Sequence, residues 1–150
     1  MSTHKHTIMN YFKEFIIIDD DAINNKLCRK VIEKTYPDKE IADFLDPQEG
    51  FDYIVSQYSR NGDNDMGILL LDINMPEIDA WKFLELFEDL DAKIKKKIKI
   101  HILSSSVNKE DMVRAQSNKN VEYYLIKPLT RESIRLIVHV LGKRLGLVNN

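Results

Sequence analysis

The 150-residue chain has little of several residue types, and each shortage excludes a class of protein. A single cysteine, Cys28, excludes an intramolecular disulfide and favours a reducing compartment. No apolar run approaches the roughly 20 residues of a membrane span, and the N-terminal stretch lacks the apolar core of a signal peptide. The net charge of −2 gives no general preference for nucleic acid or for anionic membranes. We therefore expect a cytoplasmic protein with neither a membrane span nor a nucleic-acid partner.

The composition is that of a globular protein, with 43% hydrophobic and 31% charged residues. A chain of this length can bury its own core, so we expect residues 1–150 to form one domain. The core is expected at about residues 13–145, after a loose polar tail at 1–12 that carries His4 and His6. We therefore expect no second, output domain.

Short apolar runs alternate with helical patterns along the chain. Strands are predicted at 15–18, 41–45, 67–71, 98–103 and 121–126, and each is followed by an amphipathic helix. The five helices are predicted at 22–36, from 47 to about 58, after Asp79, from about 108, and from Thr130 to about 145. Five β-α repeats predict an α/β fold, a flavodoxin-like doubly wound (βα)5 with a parallel sheet in the order 2-1-3-4-5.

The first helix has apolar residues at helical spacing. Ile23, Leu27 and Val31 recur every fourth residue, with Cys28 and Ile32 beside them. This stripe predicts the core-facing side of the helix. Cys28 is expected to pack there.

The second half of the chain has three features that a structure can test. The basic run KIKKKIK at 93–99 is expected to present its lysines to water or to the connecting loop, with an anion-binding patch as the alternative. His101 is expected to be packed inside the fourth strand, and His139 to be exposed. The fourth helix has few apolar residues and is expected to be poorly anchored: Met112, Val113 and Ala115.

Polar side chains follow four of the predicted strands. Asp19 and Asp20 end the first strand, and Asp72 ends the third. Ser104 ends the fourth strand and Lys127 the fifth. In the predicted strand order these four strands are neighbours, and the carboxyl ends of parallel strands share one edge of the sheet. The sequence therefore predicts that three carboxylates, a hydroxyl and an ammonium converge.

The chemistry of this set favours phosphoryl transfer. Clustered carboxylates repel one another unless a cation lies among them, and hard oxygen ligands suit Mg²⁺. Lys127 offers a point charge and Ser104 a hydrogen bond to phosphoryl oxygens. Asp72, central in the row, is placed to be a carboxylate nucleophile that forms an acyl phosphate.

Four stretches carry a family resemblance: FIIIDDD (15–21), LLLDINMPEIDAW (69–81), HILSSS (101–106) and YYLIKPLT (123–130). They resemble the receiver domain of response regulators in two-component signalling, over about residues 13–145. The resemblance implies that Asp72 is the phosphoacceptor and Lys127 the family's lysine. It implies that Asp20 is a direct Mg²⁺ ligand, with Asp19 acting through water and Asn74 through its backbone carbonyl.

The same resemblance implies partners and a switch. The donor would be a phosphohistidine of a sensor histidine kinase or a phosphotransfer protein. Ser104 and Tyr124 would switch the surface formed by the fourth helix, fifth strand and fifth helix. That surface would regulate an unidentified downstream protein, or the chain would pass the phosphoryl group along a phosphorelay. The chain would not be a dedicated enzyme, although it could dephosphorylate itself. The Lys127–Pro128 bond is usually cis in this family.

One departure and two alternatives remain. Ala80 follows Asp79 where the family usually has glycine, which costs on the order of 1 kcal/mol if that position needs a positive φ but nothing at the start of a helix. A pseudo-receiver would bind partners without being phosphorylated. A haloacid-dehalogenase-like phosphatase would use Asp19 as nucleophile, but it expects a hydroxyl where this chain has Ile23.

Overall fold

The computed structural model describes residues 11–60 and 65–147, which form five strands and six helices. The strands are β1 (Phe12–Ile18), β2 (Glu40–Phe44), β3 (Met66–Leu71), β4 (Ile98–Ser104) and β5 (Val121–Ile126). The helices are α1 (Ala22–Thr35), α2 (Pro47–Tyr58), α3 (Ala80–Glu88), α4 (Ala92–Lys95), α5 (Lys109–Ser117) and α6 (Arg131–Arg144). The predicted tail with His4 and His6 lies, up to residue 10, outside the described residues.

The strands form one parallel sheet in the order β2-β1-β3-β4-β5, which confirms the predicted flavodoxin-like topology. Its register aligns the strand ends. Ile18 of β1 pairs with Leu71 of β3, and Leu71 pairs with Ile102 of β4. Ser104 pairs with Ile126 of β5. The residues that follow β1, β3 and β5 therefore leave the same edge of the sheet, beside the end of β4.

Two apolar clusters lie on opposite faces of the sheet. One joins alternate strand residues to α1 and α6, and the other joins the remaining alternate residues to α2, α3, α4 and α5. All six residues of β3 are buried, as expected for a central parallel strand covered on both faces. Within the described part of the chain, no helix has the length and apolar character needed to cross a bilayer.

Most helices begin at a polar capping side chain, which accepts backbone N–H bonds that have no partner within the helix. Asp79 accepts the N–H of Lys82 at the start of α3. The other caps of the five longer helices are Asp21, Asp46, Asn108 and Thr130. These local signals explain why sequence reasoning located the helix starts.

The predicted core stripe of α1 is wrong for its first two residues, Ile23 and Leu27, whereas Val31 packs against the core as predicted. Ile23 and Leu27 are 71% and 50% exposed, whereas the buried residues are Asn24, Asn25, Cys28 and Ile32. Cys28 packs in the core as predicted. The helix is rotated so that its two amides face the end of β1 and its two most N-terminal apolar side chains face outward.

The basic run also differs from the prediction. A short helix, α4, occupies part of it, so the predicted fourth and fifth helices are α5 and α6. Lys97 is buried rather than facing water. Its ammonium donates to the backbone carbonyls of Tyr58 at 3.5 Å and Arg60 at 3.0 Å, just where α2 ends. A buried ammonium is tolerated there because the carbonyl oxygens replace its hydration.

The weak anchoring of α5 is confirmed, since Ala115 is its only buried residue. Polar contacts bridge the groove between α5 and α3 instead. The Arg114 guanidinium lies 4.5 Å from the ring centroid of Trp81 on α3. Glu88 at the end of α3 pairs with Lys119 at 2.7 Å. As predicted, His101 is buried and His139 is exposed.

Candidate functional site

The structure brings three carboxylates together at the carboxyl edge of the sheet. Asp19 and Asp72 directly follow β1 and β3 and are 2% and 7% exposed, whereas Asp20 is exposed. One carboxylate oxygen from each of the three lies within 4.8 Å of the others. The cluster forms because parallel neighbours β1 and β3 end at the same level.

Lys127 joins two of these acids. Its ammonium lies 2.7 Å from Asp19 Oδ2 and 3.2 Å from Asp72 Oδ1. The backbone N–H of Lys127 donates to the carbonyl of Ser104 at 2.9 Å, which holds the end of β5 beside β4. The Lys127–Pro128 peptide bond is cis, as the resemblance implied. One positive charge is thus fixed between two buried negative ones.

The electrostatics of Asp72 follow from this arrangement. Burial and the neighbouring charge of Asp19 raise the pKa of Asp72 to about 6, although Lys127 opposes the shift. Burial lowers the pKa of Lys127, but its bonds and charge interactions with Asp19 and Asp72 outweigh burial, so the net pKa is raised. The lysine therefore stays charged at neutral pH, and Asp72 is a desolvated carboxylate with a single cation beside it.

Sequence reasoning missed two amides that hold Asp19. Asn24 Nδ2 donates to Asp19 Oδ2 at 2.7 Å, and Asn25 Nδ2 donates to the Asp19 carbonyl at 3.1 Å. The N–H of Asp21 donates to Asp19 Oδ1 at 2.9 Å. The spacing of residues in α1 could have identified Asn24. Residues 24, 28 and 32 share one face of the helix, so a buried Cys28 and Ile32 place Asn24 one turn nearer to the site on the same face.

Ser104 lies at the same edge and is 1% exposed. Its hydroxyl accepts the N–H of Ser106 at 3.1 Å. The hydroxyl of Tyr124, which is half-buried, donates to the Ser106 carbonyl at 2.8 Å, and Ser106 Oγ donates to Asp111 of α5 at 3.0 Å. The link to Asp111 was not predicted. A continuous set of bonds thus connects Ser104 to Tyr124 and to the first turn of α5.

The loop after Asp72 contains a tight turn. Glu77 has a φ of 65°, the only positive φ among the described residues other than glycine, and the N–H of Ile78 donates to the Pro76 carbonyl at 2.6 Å. Ala80 is the first residue of α3, and its N–H donates to the Ile73 carbonyl at 3.0 Å. The left-handed position in this loop is therefore residue 77, and alanine at 80 adds no backbone strain.

The donor set fits a magnesium ion. Three carboxylates face one ammonium, so the cluster keeps excess negative charge even with Lys127 in place. Every available ligand is a hard oxygen, and Asp20 is open to solvent, which suits an ion that retains several waters. Asn74, two residues after Asp72, is exposed in the adjoining loop.

Comparisons with known proteins agree with this geometry. The family model of the response regulator receiver domain matches residues 15–139. A two-component response regulator from Cytophaga hutchinsonii is 28% identical with a TM-score of 0.78, over 89% of this chain and 98% of that one. A response regulator receiver protein from Dyadobacter fermentans is 25% identical with a TM-score of 0.74, over 87% of this chain and 96% of that one.

A two-component response regulator from Legionella pneumophila, at 22% identity and a TM-score of 0.68 over 88% of this chain and 98% of that one, shows the same fold. A comparison with curated proteins gave no significant match. Since the family model covers most of the chain, the match extends across the sheet and every element that carries the site. The chain therefore belongs to the response regulator receiver domain family, whose members are phosphoacceptor signalling modules of two-component systems and generally not dedicated enzymes.

Proposed function

We propose that a receiver unit spanning about residues 13–145 acts in the cytoplasm and accepts a phosphoryl group on Asp72. The donor is a phosphohistidine of a sensor histidine kinase or a phosphotransfer protein. The observation that carries this proposal is the Lys127 ammonium, 2.7 Å from Asp19 and 3.2 Å from Asp72. A fixed cation beside a desolvated carboxylate suits a reaction that places a phosphoryl group on that carboxylate.

The transfer is a displacement at phosphorus. A carboxylate oxygen of Asp72 attacks the phosphorus and forms the P–O bond of an acyl phosphate. The P–N bond to the donor histidine breaks, and its electron pair stays on the imidazole nitrogen, which then takes a proton. Lys127 neutralises the phosphoryl oxygens, and the Ser104 hydroxyl donates to one of them.

Asp19, Asp20, Asp72 and the backbone carbonyl of Asn74 would hold Mg²⁺. The ion, when bound, supplies positive charge to the phosphoryl oxygens. Asp20 is exposed and suits a direct ligand. Both oxygens of Asp19 already accept hydrogen bonds, which suits a contact through water. This division supports the roles that the family resemblance implies.

Intact-mass spectrometry tests the proposal. Wild-type protein incubated with Mg²⁺ and acetyl phosphate should gain the mass of one phosphoryl group, and Asp72→Asn should gain none. Removal of the donor should be followed by loss of that mass through self-dephosphorylation. A wild-type protein that stays unlabelled under acetyl phosphate and under phosphohistidine donors would favour the pseudo-receiver alternative.

The exposed apolar face of α1 is where we propose that the donor protein docks. Ile23 and Leu27 point outward on the first two turns of α1, next to the exposed Asp20. Apolar side chains at i and i+4 form the anchors of a helix–helix contact, and helices of a donor would bring its phosphohistidine to the same edge. The occupant is thus a helical phosphohistidine protein.

This docking face can be separated from the chemistry. Ile23→Ser with Leu27→Ser should slow phosphorylation by a histidine kinase or phosphotransfer protein by at least roughly tenfold, since each buried anchor contributes about 1 kcal/mol or more. Labelling by acetyl phosphate should stay unchanged. The control is Val113→Ser, which removes an apolar side chain that is 60% exposed on α5. An equal slowing of phosphorylation in Val113→Ser would contradict this docking site.

We further propose that phosphorylation switches the surface formed by α5, β5 and α6, which then binds a downstream protein or serves a phosphorelay. When Ser104 turns toward the phosphoryl group, its bond to the Ser106 N–H is lost. Ser106 is also the partner of Tyr124 and Asp111, so the change reaches β5 and α5. A helix anchored by one buried residue shifts at low cost.

NMR tests the switch. Fluoroberyllate, an analogue of the phosphoryl group, added with Mg²⁺ should shift the backbone amides of residues 106–117 in wild-type protein. Ser104→Ala should bind the analogue but lose these shifts. Identical shifts in both proteins would contradict the proposed role of Ser104.

The phosphatase alternative with Asp19 as nucleophile is disfavoured. Asp19 is 2% exposed and accepts bonds from Asn24, Lys127 and the Asp21 N–H, so its oxygens are screened from a substrate. Phosphatase activity that survives Asp72→Asn and disappears in Asp19→Asn would restore it.

A further inference from the structure

The Asp19 carboxylate has more hydrogen-bond donors than the Asp72 carboxylate beside it. Oδ2 accepts from Asn24 Nδ2 and from Lys127 Nζ, both at 2.7 Å. Oδ1 accepts from the Asp21 N–H at 2.9 Å. Because Asp19 is 2% exposed, bulk water cannot substitute fully for any donor that leaves.

Phosphoryl transfer would draw one of these donors, the Lys127 ammonium, toward a new partner. In the proposed function, Lys127 neutralises the phosphoryl oxygens on Asp72, and a shift of its ammonium toward them would weaken its contact with Asp19. The side-chain donor that remains on Oδ2 is Asn24. Removing one partner of a buried charge costs more than the bond itself contributed, because the lost donor is not fully replaced by bulk water.

Asn24 is built to stay in place. It lies in the first turn of α1, where Asp21 Oδ1 accepts the N–H of Ile23 at 2.9 Å and of Asn24 at 3.3 Å. Its side chain is 7% exposed, and its bond to Asp19 is buried. A helix N-terminus capped in this way fixes the amide relative to the end of β1.

We propose that Asn24 is a positioning residue for phosphoryl transfer, which holds the Asp19 carboxylate while Lys127 moves from it to the phosphoryl group. This inference rests on the proposed function of Asp72 and Lys127. Asn25 does not share the role, because its amide donates to the Asp19 main-chain carbonyl at 3.1 Å and leaves the carboxylate untouched.

The test compares Asn24→Leu with wild type and with Cys28→Ala. Leucine keeps the approximate volume but cannot donate, and Asn24→Ala is a second variant with the same expectation. Cys28→Ala removes buried volume from the next turn of the same helix face without removing a donor to Asp19. Three quantities are measured: the rate of labelling by acetyl phosphate, the dissociation constant of fluoroberyllate with Mg²⁺, and the urea midpoint of the unphosphorylated protein.

Asn24→Leu should label roughly ten- to hundredfold more slowly and bind fluoroberyllate more weakly by a similar factor, the effect of losing one hydrogen bond to a charged group. The urea midpoint of Asn24→Leu should change no more than that of Cys28→Ala. Cys28→Ala should be labelled at the wild-type rate within about threefold, because it keeps every donor to Asp19. A purely structural role would lower the midpoint without changing the affinity for the analogue.

The inference would be overturned if Asn24→Leu were labelled at the wild-type rate and bound fluoroberyllate with wild-type affinity. It would also be overturned if Asn24→Leu and Cys28→Ala lost labelling rate and affinity equally. Absence of labelling on Asp72 in the wild type would instead overturn the proposed function, so the two failures are distinguishable.

Discussion

His101 should make the stability of this protein depend on pH between neutrality and pH 5. It is 2% exposed in β4, its Nδ1 has no hydrogen-bond partner within the described chain, and its ring stacks on Tyr123 with centroids 6.0 Å apart. Burial, and secondarily the charge of Arg144, lower the pKa of His101 from 6.5 to about 3. The folded protein therefore keeps this imidazole neutral where the unfolded chain protonates it.

The sign and size follow from linkage. Below pH 6.5 the unfolded state binds a proton that the folded state does not. The free energy of unfolding therefore falls progressively as the pH falls toward about 3. At about 1.4 kcal/mol per pH unit, the loss from this residue at pH 5 relative to pH 7 is about 2 kcal/mol. Asp72, whose pKa is raised to about 6, acts in the opposite direction over part of this interval. A comparison of variants is therefore needed to isolate His101.

Urea denaturation at pH 5 and pH 7 measures the effect. His101→Leu should lose about 2 kcal/mol less than wild type between the two pH values. The control is His139→Gln, because His139 is exposed on α6 and its replacement should leave the wild-type dependence unchanged. If His101→Leu and wild type lose the same free energy, the folded protein tolerates the charged imidazole and the reasoning is refuted.

Three further predictions concern the free energy of unfolding of single-residue variants, and urea denaturation checks each of them. Gly67→Ala should cost about 1–3 kcal/mol, because a Cβ there would lie 2.9 Å from Cζ of the buried Tyr58, whose hydroxyl is held by Glu14 at 2.7 Å. Glu77→Asn should stabilise by about 0.5–1 kcal/mol, since asparagine tolerates the left-handed φ of 65° better; a loss of stability there would contradict the strain argument. Asp79→Ala should cost about 1 kcal/mol by removing the cap of α3, and an unchanged midpoint would show that the cap is dispensable.

Much of the fold could be predicted because its signals are local. The apolar runs of β1 and β3 end at Asp19 and Asp72, and capping residues mark the helix starts. The strand order was then taken from the flavodoxin-like arrangement, which suits five β-α repeats. The residues at the strand ends could be grouped before any distance was known, since parallel register brings such ends together.

What could not be predicted depends on contacts across the fold. In α1, the spacing 23, 27, 31 and the spacing 24, 28, 32 fit a helix equally well, and hydrophobicity favours the first. The structure has the second because Asn24 finds a buried partner in Asp19, whose position depends on the sheet. Lys97 is buried for a similar reason, since its carbonyl partners come from the end of α2, far away in sequence.

The contact between Trp81 and Arg114 also has a practical consequence. Trp81 is the only tryptophan in the chain, so all tryptophan fluorescence of the protein originates from one ring. That ring lies on α3, with the guanidinium of α5 at 4.5 Å from its centroid. A displacement of α5 would separate the two groups and change the emission of the indole. The unlabelled protein therefore contains its own optical reporter of α5, a helix that a single buried residue attaches to the core.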